Sequence, residues 1–208
     1  MSRVIGPKCR LCRREGMKLF LKGARCFTAK CAIERRQTPP GMHAERRKKM
    51  EDYGIQLREK QRLKRLFGMF EAQFLRFLRR AESQAGNTGE NFLRLLERRL
   101  DNVVLRMGFA PSHAGARELI AHGHVAVNGE RVDIASFLVK AADEVRVVSP
   151  NVREAAAGYL KTAQERGGLA SWVEVSAEEL KGTVKALPNK EDMSLPVDEG
   201  LVVTFYSK

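Results

Sequence analysis

All four cysteines of this 208-residue chain fall between residues 9 and 31, in the stretch CRLCRREGMKLFLKGARCFTAKC. Cys9-x-x-Cys12, thirteen residues, then Cys26-x4-Cys31 sets two close pairs on a short loop. A C-x-x-C turn presents both sulfurs to one ion and the second pair closes the shell, the pattern of a tetrahedral tetrathiolate. The N-terminus, Met-Ser-Arg-Val-Ile-Gly-Pro-Lys, lacks the apolar core of an export signal. A reducing cytosol is therefore expected, where structural disulfides rarely persist. The large apolar residues inside the stretch are Leu11, Met17, Leu19, Phe20, Leu21 and Phe27, too few to offset the entropy of ordering it. A bound metal supplies a term of the required size. Cys9, Cys12, Cys26 and Cys31 are accordingly read as the ligands of one structural Zn²⁺, an iron–sulfur cluster being the alternative that the same spacing permits. Protein fills all four positions, so the site is structural and not catalytic.

Charge sharpens the picture. The formal net charge is +13, and residues 1–80 hold 23 Lys/Arg against 7 Asp/Glu, whereas residues 81–208 hold 15 against 18. A polycationic end on a near-neutral remainder points to a polyanionic partner, nucleic acid before an anionic membrane. No run of 18 apolar residues exists, so no membrane span is expected. Within the cysteine stretch Arg10, Arg13, Arg14, Lys18, Lys22, Arg25 and Lys30 offset the −2 of a zinc tetrathiolate.

The breaker Arg35-Arg36-Gln37-Thr38-Pro39-Pro40-Gly41 ends one unit. Arg46-Arg47-Lys48-Lys49 opens a helical region in which Leu63, Leu66, Phe67, Phe70, Phe74, Phe77 and Leu78 recur at intervals of three and four. Gly68 marks a break between two helices. The opposite face carries Arg58, Lys60, Arg62, Lys64, Arg65, Arg76, Arg79 and Arg80 with few matching acids nearby, which favours a nucleic-acid role over a merely solvated face. Thr88 is the expected N-cap of one continuous helix with Phe92, Leu96, Leu100, Val103, Val104 and Met107 on its apolar face, ending at Gly108. Ser112 caps a short helix to about Ala121. Val125 and Val127, the turn Asn128-Gly129 and Val132 read as a hairpin, and Val145–Val148 as another strand. Pro150 opens a helix to about Arg166, and Trp172–Val175 and Leu201–Tyr206 read as short strands.

Helix, turn, helix and small sheet is thus the order of residues 91–148. Ser112 at a helix N-terminus can offer its hydroxyl and backbone N–H groups to a phosphate. Arg117 lies one turn on, on the same face. His122-Gly123-His124 leaves the helix through a glycine, bringing two imidazoles and bared backbone near one place. Their competing reading is a pair of C-cap histidines at the negative end of the dipole.

These residues resemble a known family. Arg98-Arg99-Leu100-Asp101-Asn102-Val103-Val104, Ser112-x4-Arg117 and His122-Gly123-His124-x-x-Val127-Asn128-Gly129 are similar to the RNA-binding module of the ribosomal protein S-four family of the bacterial small subunit. The cysteine knuckle, Arg35-Arg36 to Pro39-Pro40-Gly41-x-His43, and the helix LREKQRLKRLFG (Leu57–Gly68) match it in order and spacing, so the likeness covers essentially the whole chain. It implies a structural constituent of the cytoplasmic small ribosomal subunit that binds 16S rRNA at a multi-helix junction of the 5′ domain and nucleates assembly of the body. It also implies ribosomal proteins five, twelve and three as neighbours, an influence on decoding accuracy, proximity to mRNA at its entry site, and no small-molecule substrate. Because some members have lost the four cysteines, their presence identifies a subtype. Carried onto this chain, the RNA-facing set is Arg10, Arg13, Lys22, Arg35, Arg36, Arg46, Arg47, Lys48, Lys49, Arg58, Lys60, Lys64, Arg65, Ser112, His113, Arg117, His122, His124, Asn128 and Arg131. Met42, His113, Gly115 and Ala135-Ser136-Phe137 depart from the usual Gln, Arg, Gln and Pro-Ser-Tyr. A histidine at 113 gives up a permanent cation near neutral pH.

The same module accompanies RNA-modifying enzymes of the pseudouridine synthase type, whose catalytic aspartate lies in an Arg-Leu-Asp triplet like Arg99-Leu100-Asp101. No room remains for a catalytic domain, and no P-loop, G-x-S-x-G or paired-carboxylate pattern appears, so an enzyme is not expected. A DNA-binding regulator is the other alternative. The hairpin behind the second helix and the charge held in a separate N-terminal part favour readout of RNA shape. The expected architecture is α+β: a metal-stapled extension (1–43), a basic helical domain (44–90, completed by parts of 150–208), an RNA-binding module (91–149), and a C-terminal helix with short strands (150–208) packing on the helical body.

Overall fold

A computed structural model describes residues 5–42, 51–193 and 196–207. The basic run Arg46-Arg47-Lys48-Lys49, and His43, lie outside the described residues. Contacts divide the chain into two units, residues 93–194 and residues 2–92 with 195–208.

In the second of these, the cysteine stretch folds as helix α1 (Lys8–Glu15), a single 3-10 turn (Gly23–Phe27) and helix α2 (Ala32–Arg35). Helices α3 (Asp52–Leu66) and α4 (Glu71–Glu82) follow, separated at Gly68 as the sequence suggests. Of the apolar stripe read from the three-and-four spacing, Leu63, Phe67, Phe74 and Leu78 are buried, Leu66 and Phe77 partly so, and Phe70, at the N-cap of α4, is 44% exposed instead. Phe74 meets Phe92 edge-on at 5.0 Å between centroids. Leu201–Tyr206 is not a strand. It belongs to helix α9 (Glu199–Tyr206), whose start is capped by Asp198 accepting from Gly200 N–H at 2.9 Å and Leu201 N–H at 3.3 Å. The β-branched residues there fit a strand by propensity, but the cap and packing against α3 override it, with Phe205 on Tyr53 at 5.5 Å.

Helix α5 (Thr88–Glu97) leads into the other unit. Its cap is Asn87, not Thr88: Asn87 Oδ1 accepts from Gly89 N–H at 2.9 Å and Glu90 N–H at 3.3 Å. The expected continuous helix to Met107 is also two helices, α5 and α6 (Leu100–Arg106). Arg99 is extended between them (φ −65°, ψ 137°) and bridges Leu138. Leu100 and Asp101 N–H donate to Phe137 and Ala135 carbonyls at 2.8 and 3.1 Å, so the loop supplies the acceptors that a new helix start lacks. Apolar periodicity runs through the break and conceals it.

Helix α7 (His113–Ala121), strands β1 (Val125–Val127), β2 (Glu130–Arg131) and β3 (Glu144–Val147), helix α8 (Pro150–Glu165), and strands β4 (Val173–Ser176) and β5 (Lys181–Val184) complete this unit. The sheet is antiparallel in the order β2-β1-β3-β5-β4. Asn128 (φ 51°) and Gly129 (φ 87°) form the two-residue hairpin turn that Asn-Gly favours. Strand β5 carries no recognisable strand pattern in the sequence. Its Gly182 has no side chain because a Cβ there would lie 2.5 Å from Met107 Sδ, so the end of α6 rests directly on the sheet. Val103, Val104, Met107, Ile120, Val125, Val145, Val147, Leu160 and Val184 form the common core. Helices on one antiparallel sheet make the fold α+β.

Candidate nucleic-acid interface and cysteine cluster

The helix–turn–helix of the module is organised by a buried acid. Asp101, 1% exposed, accepts two parallel bonds from Arg99, 2% exposed (Nε to Oδ1 3.1 Å, Nη2 to Oδ2 2.9 Å), and a third from Arg117 Nε at 2.6 Å. Burial alone would raise this carboxyl, but Arg99 and Arg117 outweigh it and hold it below the ordinary carboxylate range. The Arg-Leu-Asp triplet is therefore an internal ion cluster that ties α6 to α7, with its carboxylate already filled by guanidinium groups. His113 opens α7 beside it. Burial drives its imidazole down to about 3, aided by Arg117, Arg106 and Arg99 and opposed by Asp101. At neutral pH it is an uncharged ring.

Ser112 caps α7, its hydroxyl accepting from Gly115 N–H at 3.3 Å. At the other end His122 is exposed, and Gly123 (φ 71°) turns the chain so that His122 and His124 stand edge-on at 5.8 Å. His124 Nδ1 shares a hydrogen bond with Ser149 Oγ at 2.8 Å. Asn128 locks the turn to β3, donating to Asp143 at 2.9 Å and accepting from Glu144 N–H at 2.9 Å. Arg131, on β2, is exposed. Thus His113 and Arg117 gather around Asp101, His122 and His124 pair off, and Arg131 stands out from the hairpin.

In the other unit the cations on α3 have acid partners, and apart from the Arg62–Glu59 pair these come from other elements. Glu15, at the end of α1, accepts from Arg58 at 3.2 Å and from Arg65, while Arg62 reaches its carbonyl at 3.4 Å and also pairs with Glu59. Glu15 Oε2 is buried without a hydrogen-bond partner among the described residues, and burial pushes the carboxyl up despite Arg65, Arg58 and Arg62. Glu71 accepts from Lys60 at 2.7 Å, from Lys64 at 2.6 Å and from the Tyr206 hydroxyl. Burial opposes ionisation of Glu71, but these three donors bring it down to about 2. Arg13 donates to the carbonyls of Thr38 (2.9 Å) and Pro39 (3.3 Å), fastening the breaker to α1. Arg10, Lys22, Arg35 and Arg36 are all exposed to solvent.

The four cysteines are free thiols, Cys9 half-buried and Cys12, Cys26 and Cys31 each 8% exposed. All four line one small cavity together with Leu21, Lys22 and Arg25. Lys22 N–H donates to Cys26 Sγ at 3.4 Å, and Leu19 N–H to the Cys12 sulfur. Burial pushes both thiols up, the N–H donors oppose it, and neighbouring thiols add to it. As they stand, no three His, Cys, Asp or Glu among the described residues are drawn together closely enough to hold a metal. The donor set nevertheless suits one: four soft sulfurs on one cavity, with backbone N–H groups to support thiolate charge.

Residues missed at the level of sequence are chiefly the buried acids. Glu97, fully buried, accepts from Arg106 at 2.6 and 3.0 Å and from Asn102, whose amide also reaches Glu97 carbonyl at 3.1 Å. The available signal was the scarcity of acids in so basic a chain: Glu15 and Glu71 are two of seven in the first 80 residues.

Residues 3–97 match the family described as the ribosomal protein S4/S9 N-terminal domain, and residues 98–145 match the S4 domain. Over their full lengths, this chain is 53% identical to small ribosomal subunit protein uS4 of Thermodesulfovibrio yellowstonii and 52% identical to that of Caldicellulosiruptor bescii. It is 51% identical to uS4A of Alkaliphilus metalliredigens, again with both chains covered completely. Likeness at half of all positions, without a gap in coverage at either end, leaves one conclusion: the chain belongs to the uS4 family of small ribosomal subunit proteins.

Proposed function

We propose that this chain, a structural rRNA-binding protein of the cytoplasmic small ribosomal subunit and not an enzyme, binds 16S rRNA at a multi-helix junction of the 5′ domain and nucleates assembly of the subunit body. Ribosomal proteins five, twelve and three are its neighbours in this reading, mRNA passes nearby at its entry site, and decoding accuracy depends on these contacts. The observation that carries the reading is the module itself: a helix–turn–helix fixed by Asp101 with His122 exposed at its end, followed by a hairpin that carries Arg131 exposed. Such a surface reads the shape of folded RNA, while cations elsewhere neutralise phosphate.

Cys9, Cys12, Cys26 and Cys31 would hold one Zn²⁺, marking the four-cysteine subtype, and an iron–sulfur cluster is the other occupant the donors allow. Bound there, the metal supplies a closed cross-link and no catalysis. The extension it staples presents Arg10, Lys22, Arg35 and Arg36 to RNA, and Arg46-Arg47-Lys48-Lys49 extends the same charge in the sequence.

Titrations on a 5′-domain transcript and on unrelated structured RNA, across a salt series, test the division. Arg10→Ala/Arg35→Ala/Arg36→Ala should weaken both, and the log–log slope should fall by ~0.7–0.9 for each phosphate no longer neutralised. His122→Ala/Arg131→Ala should leave unrelated RNA nearly unaffected and reduce preference for the ribosomal junction. Equal weakening on both RNAs from the second variant refutes shape readout by the module.

A further inference from the structure

We infer that Phe20 and Phe27 form a platform on which an unpaired RNA base stacks. Their rings lie face to face at 4.9 Å between centroids and 29° between planes, yet they are 44% and 54% exposed. Aromatic rings normally bury their area, and here the neighbouring Leu19 is 2% exposed and fills the interior instead. The outward position is built into the backbone: Phe20 has φ 49°, a left-handed conformation that side-chain-bearing residues rarely adopt. The two rings are joined across the knuckle through Lys22 N–H on the sulfur of Cys26, adjacent in sequence to Phe27.

The surroundings select the occupant. Residues 1–42 are rich in Lys and Arg and contain two Glu, of which Glu15 is buried and Glu34 is paired to Lys18 at 2.6 Å. Lys22, Arg25 and Lys30 are exposed in the same segment. A flat apolar face among cations that outnumber their acids suits a base attached to its phosphates, because every base has a π-face and the backbone supplies the anion. A protein partner would have to bring both an apolar side chain and several acids. The inference deepens the RNA-binding reading above and rests on it, but names a contact made by residues of the extension and by none of the module's.

The test is a pair of variants on the 5′-domain transcript of 16S rRNA. Phe20→Leu/Phe27→Leu keeps apolar bulk and removes the aromatic face. Its Kd should rise about tenfold to a hundredfold, the range for removal of one base–aromatic stack, with the salt slope unchanged because every phosphate stays neutralised. Unchanged Kd overturns the platform, as does weaker binding accompanied by a shallower slope, which reports disordered cations. F27W keeps the face, should bind like the parent, and should show indole emission quenched on binding, measured as the difference from the parent with its single Trp172. Blue-shifted, unquenched emission assigns the rings to a protein-like contact and overturns the proposal. Oligoadenylate separates this failure from failure of the ribosomal reading. If the parent shows no preference for the 5′ domain, that reading falls, whereas quenching of F27W by oligoadenylate still supports the platform and absence of quenching at saturation still overturns it.

Discussion

Removing the charge of Asp101 should cost the module far more than removing that of Glu15, although both acids face several arginines. The difference lies in what happens to the partners. Arg99 is 2% exposed and cannot turn to water, so Asp101→Asn leaves a buried guanidinium without its counter-charge. Breaking a buried pair by removing one partner costs about 3–5 kcal/mol, and Asn keeps one acceptor, which places this change near ~3. For a unit of about 100 residues that is a fall in Tm of roughly 12–24 °C. Trp172 is the chain's one tryptophan and lies in the core cluster that holds Leu100, Val103 and Val104 of α6, so its fluorescence reports the transition directly. The pH dependence has a defined sign. Because the folded carboxyl is held below its ordinary value, its contribution is full above the unfolded pKa of about 3.9 and is lost as pH falls through the lower folded value. Asp101→Asn should therefore flatten the acid limb of the stability curve. Around Glu15 the arginines Arg58 and Arg65 have side chains 19% and 22% exposed and can reach solvent once released. Glu15 is shifted upward, so its contribution is full below the unfolded pKa near 4.3 and is lost as pH rises. Glu15→Gln at pH 7 should accordingly leave hydrogen-exchange protection of α3 nearly unchanged. A decrease in Tm below about 4 °C for Asp101→Asn, or stronger deprotection by Glu15→Gln, would falsify the claim that partner exposure decides the cost.

Three further outcomes follow from single features. In Gly129→Val the added Cβ meets no atom within 4 Å, so the cost is chiefly the backbone strain of φ 87°, about 1–3 kcal/mol in the Trp172 transition, and a parent-like melt would refute the turn assignment. Chelation, or Cys12→Ser, should open residues 5–42 to protease while leaving the Trp172 transition in place; protein purified anaerobically with neither zinc nor iron at one site per chain would end the metal proposal. Glu71→Gln should loosen α9 amides at pH 7 and make them indifferent to acid, whereas the parent loses protection only as pH falls below about 4 towards 2, because Glu71 is held down by Lys60, Lys64 and Tyr206. Equal protection in both proteins at pH 7 would detach Glu71 from the α3–α9 contact.

Local chemistry was legible in the sequence wherever one residue type has one common use. Asn128-Gly129 specified its turn, Ser112 its cap and Gly68 its break, and the apolar spacing picked out Leu63, Phe67, Phe74 and Leu78 as buried, though not Phe70, which is exposed. Misreadings arose where a distant group supplied the deciding interaction. The break at Arg99 depends on carbonyls of residues 135 and 137, and α9 was masked by strand-prone residues until its cap and its packing on α3 decided otherwise. Strand β5 announces itself poorly because Gly182 is there for Met107, a contact no local pattern contains.

The same limit governs the reading of charge. On α3 the cations looked unmatched because their acids are far away in sequence: Glu15 lies 43 residues from Arg58 and 50 from Arg65, and Glu71 lies 11 from Lys60. Folding brings these acids in, so part of the polycationic end is a framework that holds α1, α3 and α4 in place. A cation in such a pair has part of its field neutralised and its side chain fixed, whereas an exposed arginine without an acid keeps its full field for phosphate. Arg10, Arg35, Arg36 and Arg131 are exposed, and the α3 set is drawn inward. The consequence is directional: charge removed from the exposed group should change RNA affinity and its salt slope with little effect on stability. Charge removed from Arg58, Lys60 or Arg65 should change protection of α3 first and affinity second. Net charge counts both groups alike, and only the position of the acids separates them.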